Sequence, residues 1–579
     1  MSGGLYRSAN AAPDGGQPPR DDAILISAEP VEQPLVETTA AAPEPAEGSA
    51  AANSAVMAVG SLVSRGTGFL RTLVLGAALG TAIGDAYTTA QIFPGMVYEF
   101  LLGGILSSVL VPVLVRRRKA DADRGEAYTQ RLLTLAMLAL AAATVLAVAA
   151  APLLTAVYAG GDTSADYREL VTLLAYLMLP MLFFTGLSAL ISAVLNTRGH
   201  FAAPMWTPIL NNLVVIAVIG LYIGFFGADP LQPADMTPGR ILLIGAGTLL
   251  GVVVQAGGLL PALRRVGFRW RWRFDFRALG LRELARLGGW MFCYVAVSQL
   301  GLVVLFYLLN QAGQEAEAGP LIYNNVYLLL MMAHGIIAVS VITALLPRMS
   351  AAAADGRYAD VAADLSRGTR MTTAVLAPIA VCYAVLAAPI AVALFNYGAF
   401  EADDALAMSL VLLVAAVALV PFAISQLFTF AFYALPDTKT PALINIGVVA
   451  LRIGIQVAVF AALAATFTAA GLMLGNAISY VAAAVLSAWL LRSRVGRIGL
   501  RRISVTFGKV LVAALGAAAV GVGVLYLLPG GEELTRLEAF LRLIVGSVAI
   551  GATYLGLALA LRMREVSDVI GLVRRKLGR

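Results

Sequence analysis

The fold of this chain is decided by its first long apolar stretch, NSAVMAVGSLVSRGTGFLRTLVLGAAL at residues 53–79, which contains Arg65 and Arg71. At about 1.5 Å per residue, a helix of this length crosses a hydrocarbon core of roughly 30 Å. A cation at mid-bilayer is costly, so it usually faces protein or a water-filled cavity and has a function. Ser64 and Gly68 interleave with the arginines at helical spacing. The stretch therefore predicts a polar, positive stripe that lines a cavity for an anionic substrate.

The rest of the chain is equally apolar. It has 579 residues, of which 60% are apolar and 13% are charged, and its mean hydropathy is +0.84. Continuous apolar runs favour membrane-spanning helices over the alternating strands of a barrel. The sequence therefore predicts an all-α polytopic membrane protein with about fourteen transmembrane helices. The predicted spans are residues 54–80, 87–115, 131–157, 168–194, 204–227, 240–263, 287–310, 321–347, 371–395, 405–434, 441–466, 468–491, 505–528 and 539–562.

Basic residues set the predicted topology. The net charge is +7, and the basic clusters fall in alternate loops, while the intervening loops are acidic or neutral. By the positive-inside rule, both termini then lie in the cytoplasm. The same charge attracts anionic membrane lipids, and we predict no nucleic-acid partner. Residues 1–52, acidic and rich in Ala and Pro, are expected to form a disordered cytoplasmic tail, and residues 563–579 a basic one.

Three short motifs recur at nearly one spacing, which indicates an internal repeat. Shared capping preferences would explain the residue types but not the nearly constant offsets of 234, 235 and 233 residues. The chain is therefore predicted to contain two six-helix lobes, residues 53–263 and 287–492, and two extra helices within residues 493–562. The motif pairs are Val63–Arg65 with Val297–Gln299, Ser108–Pro112 with Thr343–Pro347, and Thr207–Asn212 with Thr440–Asn445.

The link between the lobes, residues 264–286, alternates aromatic and charged side chains. A period of two puts the aromatic residues on one face of an extended segment. We favour an anchor at the inner membrane surface; the alternative is a gate or a surface that gathers headgroups. The aromatic residues are Phe268, Trp270, Trp272, Phe274 and Phe276, and the charged ones are Arg269, Arg271, Arg273, Asp275 and Arg277.

Two acids add to the candidate cavity. Glu99 in the second span is predicted to pair with Arg65 or Arg71; the alternative is an ion pair that only fixes helix packing. Asp85 is predicted to neutralise the arginines when the cavity closes; the alternative is an ordinary loop acid. The prolines expected to bend helices are Pro112, Pro208, Pro347 and Pro441.

The second lobe offers a further polar group in span 11, formed by Asn445, Arg452 and Gln456. We predict a cation or gating site here, with a purely structural role as the alternative. The chain contains only two cysteines and two histidines, and it predicts no metal site, no cofactor and no catalytic residue.

The sequence resembles the MurJ/MviN family, the lipid II flippases of peptidoglycan synthesis, which lie within the multidrug/oligosaccharidyl-lipid/polysaccharide exporter superfamily. The resemblance covers nearly all of the chain from residue 53. In places the chain is similar to actinobacterial members of the family. The motifs that carry it are SRGTGFLR at 64–71, GDAY at 84–87, FPGMVYEFLLGGILSSVLVPVL at 93–114, LNTRGHFAAPMWTPILNN at 195–212, AVSVITALLPRMS at 338–350 and FYALPDTKTPALI at 432–444.

The resemblance implies alternating-access transport of lipid II, an undecaprenyl-pyrophosphate-linked disaccharide-pentapeptide, from the inner to the outer leaflet of the bacterial cytoplasmic membrane. It implies that Arg65 and Arg71 line a central cavity, that Asp85 is tied to function, and that the last two helices hold the lipid tail. Arg452 is either the second lobe's cation or fills a site where a relative holds an inorganic cation. The expected partners are lipid II, membrane lipids and the cell-wall synthesis or division machinery. The expected driving force is the membrane potential, a coupling ion or downstream consumption of the product.

The chain departs from many relatives at three places, where Tyr98-Glu99 and Leu328 replace arginines and Thr72 replaces an acid. The predicted cavity is therefore less positive than in those relatives. The alternatives are a flippase for another polyprenyl-linked glycan, a drug antiporter, a lipid-linked glycan enzyme that uses Asp403 and Asp404, and a scaffold. The buried arginines argue against a cationic-drug exporter and against a mere scaffold.

Overall fold

The structure is a computed structural model that describes residues 47–103, 114, 117, 121, 123, 125–279, 281–316, 319–528, 534–568 and 571. By its contacts, the chain from Asn53 onward forms one compact unit. The predictions for Pro112, for most of the acidic N-terminal tail and for most of the basic C-terminal tail lie outside the described residues.

The described chain folds into sixteen α-helices joined by short segments. A π-helical turn, Glu99–Gly103, follows the first helix, and 3₁₀ turns lie at Pro233–Asp235 and Phe276–Leu279. The helices are α1 (Glu47–Tyr98), α2 (Glu126–Ala149), α3 (Ala151–Tyr158), α4 (Ala165–Met178), α5 (Met181–Thr197), α6 (Ala202–Phe226), α7 (Pro238–Arg265), α8 (Leu281–Glu315), α9 (Pro320–Ala354), α10 (Tyr358–Val385), α11 (Ala387–Phe395), α12 (Ala402–Ala434), α13 (Lys439–Ala462), α14 (Ala465–Val495), α15 (Leu500–Leu527) and α16 (Arg536–Ala560).

Most of the apolar residues of the chain lie in helices that could span a membrane. Within the described ranges, thirteen helical segments are long and apolar enough to cross a membrane. Local signals set their ends. Thr535 and Glu538 form a reciprocal capping box at the start of α16, and Gly227, with φ of 81°, ends α6 in a conformation that side chains rarely adopt. The prediction of an all-α polytopic membrane protein is confirmed.

The first of these segments, Val59–Leu101, covers most of the first predicted span, 54–80, and the first half of the second, 87–115. Its 43 residues would extend about 65 Å as a straight helix, roughly twice the hydrocarbon thickness. The helix is interrupted at Gly80, whose φ of 62° and ψ of −166° are not helical. A Cβ atom there would lie 2.6 Å from the carbonyl oxygen of Ala399, so the close approach also requires glycine. The predicted number of fourteen spans stays a prediction.

The internal repeat has a structural counterpart in two asparagines at equivalent positions. In the first lobe, the Asn212 amide of α6 donates to the Ser64 carbonyl at 3.1 Å and to the Thr67 hydroxyl at 3.0 Å. In the second lobe, the Asn445 amide of α13 donates to the Tyr294 carbonyl at 3.0 Å and to the Ser298 hydroxyl at 2.9 Å. The same contact therefore joins α6 to α1 and α13 to α8.

The second lobe is centred on α12, which packs against α9, α10 and α14. The last two helices attach to this lobe, because α15 packs on α10 and α16 packs on α11. Both present apolar side chains outward, including Tyr526 and Leu527 on α15, which are 90% and 82% exposed. These faces suit contact with lipid.

The segment between the lobes has no regular secondary structure over residues 268–275. Phe268 is buried, whereas Trp272 and Phe274 are 58% and 65% exposed and stack on each other. The predicted aromatic face is thus divided between the core and the surroundings. Two exposed aromatic rings beside arginines fit an interfacial anchor.

Helix α2 fixes this segment. The Gln130 amide donates to the Arg269 carbonyl at 2.8 Å, and Arg131 forms a 2.6 Å ion pair with Asp275. The hydrogen bond from Arg131 lowers the pKa of the Asp275 carboxyl. The segment is therefore docked by polar contacts as well as by its buried aromatic residues.

Candidate functional site

The two lobes meet through buried polar contacts at one end, where the loops after α3, α8 and α11 lie. We call this end the outer edge, because the charge pattern of the sequence predicts that it faces away from the cytoplasm. Asp85 of α1 is 5% exposed, and its Oδ1 accepts a 2.7 Å hydrogen bond from the Leu321 backbone N–H. Leu321 lies in the first turn of α9, whose own cap residue, Gly319, has no side chain. Asp85 therefore caps a helix of the opposite lobe.

Two glycines give the Asp85 carboxylate its space. Gly319 and Gly313 pack directly against it, and a Cβ atom on either would collide with the carboxylate. The structure places this acid against the N-terminus of α9, where unpaired backbone N–H groups attract an acceptor. Its expected role in neutralising the arginines when the cavity closes stays a prediction.

A second interlobe contact centres on Asn310 of α8, which is 1% exposed. Its Oδ1 accepts hydrogen bonds from the Thr89 hydroxyl at 2.9 Å and from the Tyr167 hydroxyl. Its Nδ2 donates to the Tyr158 carbonyl at 3.0 Å. Both the oxygen and the nitrogen of this amide are therefore hydrogen-bonded, and three of the partner residues belong to the first lobe.

Neighbouring groups extend this contact along the same edge. The side chain of Gln311 accepts from the Asp162 backbone N–H at 3.0 Å, and that of Gln314 accepts from the Ser164 N–H at 3.2 Å. The Ala399 N–H donates to the Ala77 carbonyl at 2.8 Å. Together with the contacts of Asp85 and Asn310 these bonds form the interlobe network, which closes the outer edge.

Arg65 lies half-buried on α1 and reaches the second lobe. Its guanidinium packs so closely against Gly335 of α9 that a Cβ atom there would overlap it. The neighbouring His334 is buried and packs its ring on Phe422, with ring centroids 4.6 Å apart. Arg65 forms no salt bridge with any residue that the structure describes.

Arg71 is also half-buried and has no salt bridge within the described part of the chain. It lies within electrostatic range of the Tyr87 hydroxyl. That hydroxyl is hydrogen-bonded to Thr248 at 3.0 Å and accepts from Gln91 at 3.5 Å. The two arginines therefore retain positive charge that no described carboxylate neutralises.

The residues predicted to share the cavity with these arginines make other contacts in this conformation. Glu99 is exposed at the start of the π-helical turn and forms no ion pair with Arg65 or Arg71, so the predicted pair is absent from this conformation. Gly68 packs against the Asn212 amide, and the Ser64 carbonyl accepts from the same amide. These contacts turn the small, polar side of α1 toward α6, because small residues let two helices approach closely.

The three residues predicted in span 11 separate into two groups. Asn445 and Arg452 line one cavity inside the second lobe. Gln456 is fully buried outside it and donates to the Leu472 carbonyl at 3.2 Å and to Asn476 at 3.3 Å. Gln456 therefore joins α13 to α14, and the prediction that it belongs to a cation or gating site gives way to a packing role.

The predicted helix-bending prolines also differ among themselves. Helices α6 and α9 continue through Pro208 and Pro347, so bending at these positions stays a prediction. Pro441 lies in the first turn of α13, where no backbone N–H is needed for a helical hydrogen bond. A bend at Pro441 is therefore not required.

A second positive cavity, of about 530 Å³, lies where α10, α15 and the segment after α16 meet. Its one acid, Glu565, is paired with Arg370. Sequence analysis missed this cavity, although three of its arginines, Arg370, Arg501 and Arg502, belong to the basic clusters that predict the topology. The basic side chains that line it are Arg370, Arg501, Arg502, Lys509, Arg562 and Arg564.

The helices form two repeated lobes that are in contact at the outer edge. Two arginines without described acidic partners lie near the boundary between the lobes. Such an arrangement is typical of membrane transporters built from structural repeats. The family model described as "Lipid II flippase MurJ" matches residues 74–531. That range covers most of the chain and begins just after the two arginines. The chain therefore belongs to the lipid II flippase MurJ family, a family of membrane transporters.

Two relatives illustrate the similarity. A Haemophilus influenzae protein named "Probable lipid II flippase MurJ" is 27% identical over 524 residues, which cover 85% of this chain and 97% of the relative. A Burkholderia cenocepacia protein named "Lipid II flippase MurJ" is 28% identical over 404 residues, 67% of this chain and 74% of the relative.

Solved structures share the fold. The structure titled "Lipid II flippase MurJ, inward closed conformation" matches with a TM-score of 0.69 and 19% identity, covering 87% of this chain and 99% of that chain. An inward-facing multidrug resistance transporter of the MATE family matches with a TM-score of 0.60 and 15% identity, covering 74% and 94%. Both solved structures thus share the fold of this chain.

Proposed function

We propose that this protein is a lipid II flippase, which moves undecaprenyl-pyrophosphate-linked disaccharide-pentapeptide from the inner to the outer leaflet of the bacterial cytoplasmic membrane. The observation that carries the proposal is the pair Arg65 and Arg71, half-buried in a member of this family and without a salt-bridge partner in the described chain. Both termini are proposed to be cytoplasmic.

The chemistry of the arginines suits a pyrophosphate. A guanidinium offers a planar fork of donors to phosphate oxygens and does not lose its proton at any relevant pH. At 4 Å and an effective dielectric constant of 20, each unit charge pair contributes about 4 kcal/mol. A pyrophosphate held this way loses less on leaving water than it would in lipid alone.

The interlobe network supports a cycle of alternating access. With the outer edge closed by Asp85 and Asn310, the headgroup would reach Arg65 and Arg71 from the cytoplasmic side. Rigid-body rocking of the lobes would then break these contacts and open the outer side. Because Arg65 of the first lobe packs on Gly335 of the second, its surroundings change with the same motion.

The lipid tail is proposed to stay in contact with α15 and α16 during this cycle. The exposed apolar faces of these helices support that role, since burial of apolar surface stabilises such a contact. The basic cavity beside them, lined by Arg501 and Lys509, would attract phosphate-bearing headgroups toward the same place. Enzymes that consume lipid II on the outer side are the proposed partners.

The membrane potential is the proposed driving force, with a coupling ion as the alternative. An interior-negative potential favours outward movement of an anion by about 2.3 kcal/mol per charge for each 100 mV. The arginines move only with the lobes and stay in the protein. The pyrophosphate crosses the membrane, so the membrane potential acts on its negative charge.

The experiment measures lipid II accessible at the outer leaflet in cells depleted of this protein and rescued with wild type, Arg71→Ala or Arg168→Ala. Arg168 is an exposed residue of α4 and serves as the matched control. We expect accessibility to return with wild type and the control but not with Arg71→Ala. If depletion never lowers accessible lipid II, the protein moves another polyprenyl-linked glycan and the proposal fails.

A further inference from the structure

A cavity of about 220 Å³ lies inside the second lobe, around the guanidinium of Arg452. Helices α8, α9, α12, α13 and α14 all contribute to its wall. None of the described residues that line it is acidic. The uncharged polar side chains that line it are Tyr294, Ser298, Tyr327, Ser425, Gln426, Thr429, Asn445, Tyr480 and Ser487.

Arg452 has no counter-charge in the described chain. It forms neither a salt bridge nor a cation–π contact there, and its Nε is buried without a hydrogen-bond partner. Gly301 of α8 admits the guanidinium, since a Cβ atom at that position would collide with it. Arg452 is half-buried, and a positive charge held inside the lobe without a carboxylate favours an anion as its partner.

The polar groups around Arg452 divide into those already used and those still free to bind. Ser298 donates to the Tyr294 carbonyl at 2.9 Å and accepts from Asn445. Ser425 donates to the Phe422 carbonyl at 2.7 Å. The hydroxyls of three tyrosines that line the cavity form no hydrogen bond with another described residue; these are Tyr294, Tyr327 and Tyr480.

Phenol hydroxyls and a guanidinium all donate hydrogen bonds to an anion, and arginine adds a full charge. A water molecule occupies about 30 Å³, so a cavity of about 220 Å³ has room for a small anion together with a few waters. A cation would meet the charge of Arg452 with no carboxylate to offset it. The chemistry of the wall therefore selects an anion.

We propose that Arg452 and the hydroxyls of Tyr294, Tyr327 and Tyr480 form a binding site for a small inorganic anion inside the second lobe. The site is separate from the arginines of the first lobe. Phe422 lines the cavity and packs on His334, which precedes the residue that contacts Arg65. This proposal goes beyond lipid II transport and does not depend on it.

The test uses the purified full chain in nanodiscs and follows its thermal unfolding. Sodium bromide, chloride or phosphate replaces sodium gluconate at constant ionic strength. A ligand that binds only the folded state raises the midpoint as its concentration exceeds the dissociation constant. We expect a rise of several degrees for wild type and for Arg492→Gln, whose arginine is exposed at the end of α14, but none for Arg452→Gln.

A second variant and a direct measurement keep the test decisive if Arg452→Gln does not fold. Tyr327→Phe removes one hydroxyl and keeps the ring, so we expect it to weaken the anion effect several-fold. In crystals grown with bromide, anomalous scattering should locate the ion beside Arg452. A response to bromide identifies a halide site and a response to phosphate alone an oxyanion site, and either supports the proposal. Equal midpoints in all anions would overturn it.

Discussion

Replacing Asp85 with alanine should open the outer edge. The substitution removes the acceptor of the Leu321 N–H, which lies 2.7 Å from Oδ1 in a buried position, and leaves that donor without a partner. An unsatisfied buried N–H costs about 1–3 kcal/mol in the closed state, while the open state lets water pair with it. The ratio of open to closed protein should therefore rise about 5- to 150-fold, since each 1.4 kcal/mol is a factor of ten.

The assay measures how fast a soluble maleimide modifies a cysteine at position 312 in a background where Cys293 and Cys382 are serine. Ala312 is 2% exposed and adjoins Gln311 of the interlobe network, so modification requires the outer edge to open. Asp85→Asn is the matched control, because its amide oxygen can still accept from Leu321. We expect a large increase in rate for Asp85→Ala and a small one for Asp85→Asn. An unchanged rate in Asp85→Ala would refute the role of this contact in closing the outer edge.

Three further predictions follow from the same contacts. Gly335→Ala should displace the Arg65 guanidinium and lower outer-leaflet lipid II at an equal protein level, whereas Gly66→Ala, whose new methyl group meets no atom, should not; equal effects would contradict the packing. Asp275→Asn should loosen the segment that carries Trp272, seen as a change in tryptophan emission. Arg131 lowers the pKa of Asp275, so the ion pair of the wild type is fully formed at any pH above the ordinary carboxyl pKa. It is lost as the pH falls through the lowered pKa. Only the wild type should therefore show this acid transition. Replacing Arg501 and Arg502 by glutamine should weaken the binding of anionic lipid, and the loss should be largest at low salt. Unchanged binding at low salt would show that the basic cavity does not bind anionic lipid.

The membrane-spanning helices and the repeat could be predicted because both depend on patterns within the sequence. Apolar runs have few alternatives to spanning helices. The constant offset between Thr207–Asn212 and Thr440–Asn445 indicated two related lobes, and the hydrogen bonds of Asn212 and Asn445 show what the repeated motif does.

The interlobe network could not be predicted because its partners are distant in the chain. Thr89 and Asn310 are 221 residues apart, and neither carries a signal of the other. The amide side chains near the end of the apolar α8, Asn310, Gln311 and Gln314, were an available hint, since buried amides need partners. The sequence likewise identified Asp85 but not the N-terminus of α9 as its partner.

The polar side of α1 shows a different limit. Small and polar residues at helical spacing can face either a cavity or a neighbouring helix, since both tolerate the same residue types. Ser64 and Gly68 lie at the contact with α6, whereas Arg65 points to α9. Only the packing of the helices decides between these two directions.

The most direct test of the central claim is the movement of fluorescent lipid II across liposomes that contain the purified full chain. It compares wild type, a double variant with Arg65→Gln and Arg71→Gln, and the control Arg168→Gln. If the two arginines hold the pyrophosphate, wild type and control move lipid II, and the double variant does not, although it folds and inserts equally. Equal rates in all three proteins would contradict the account.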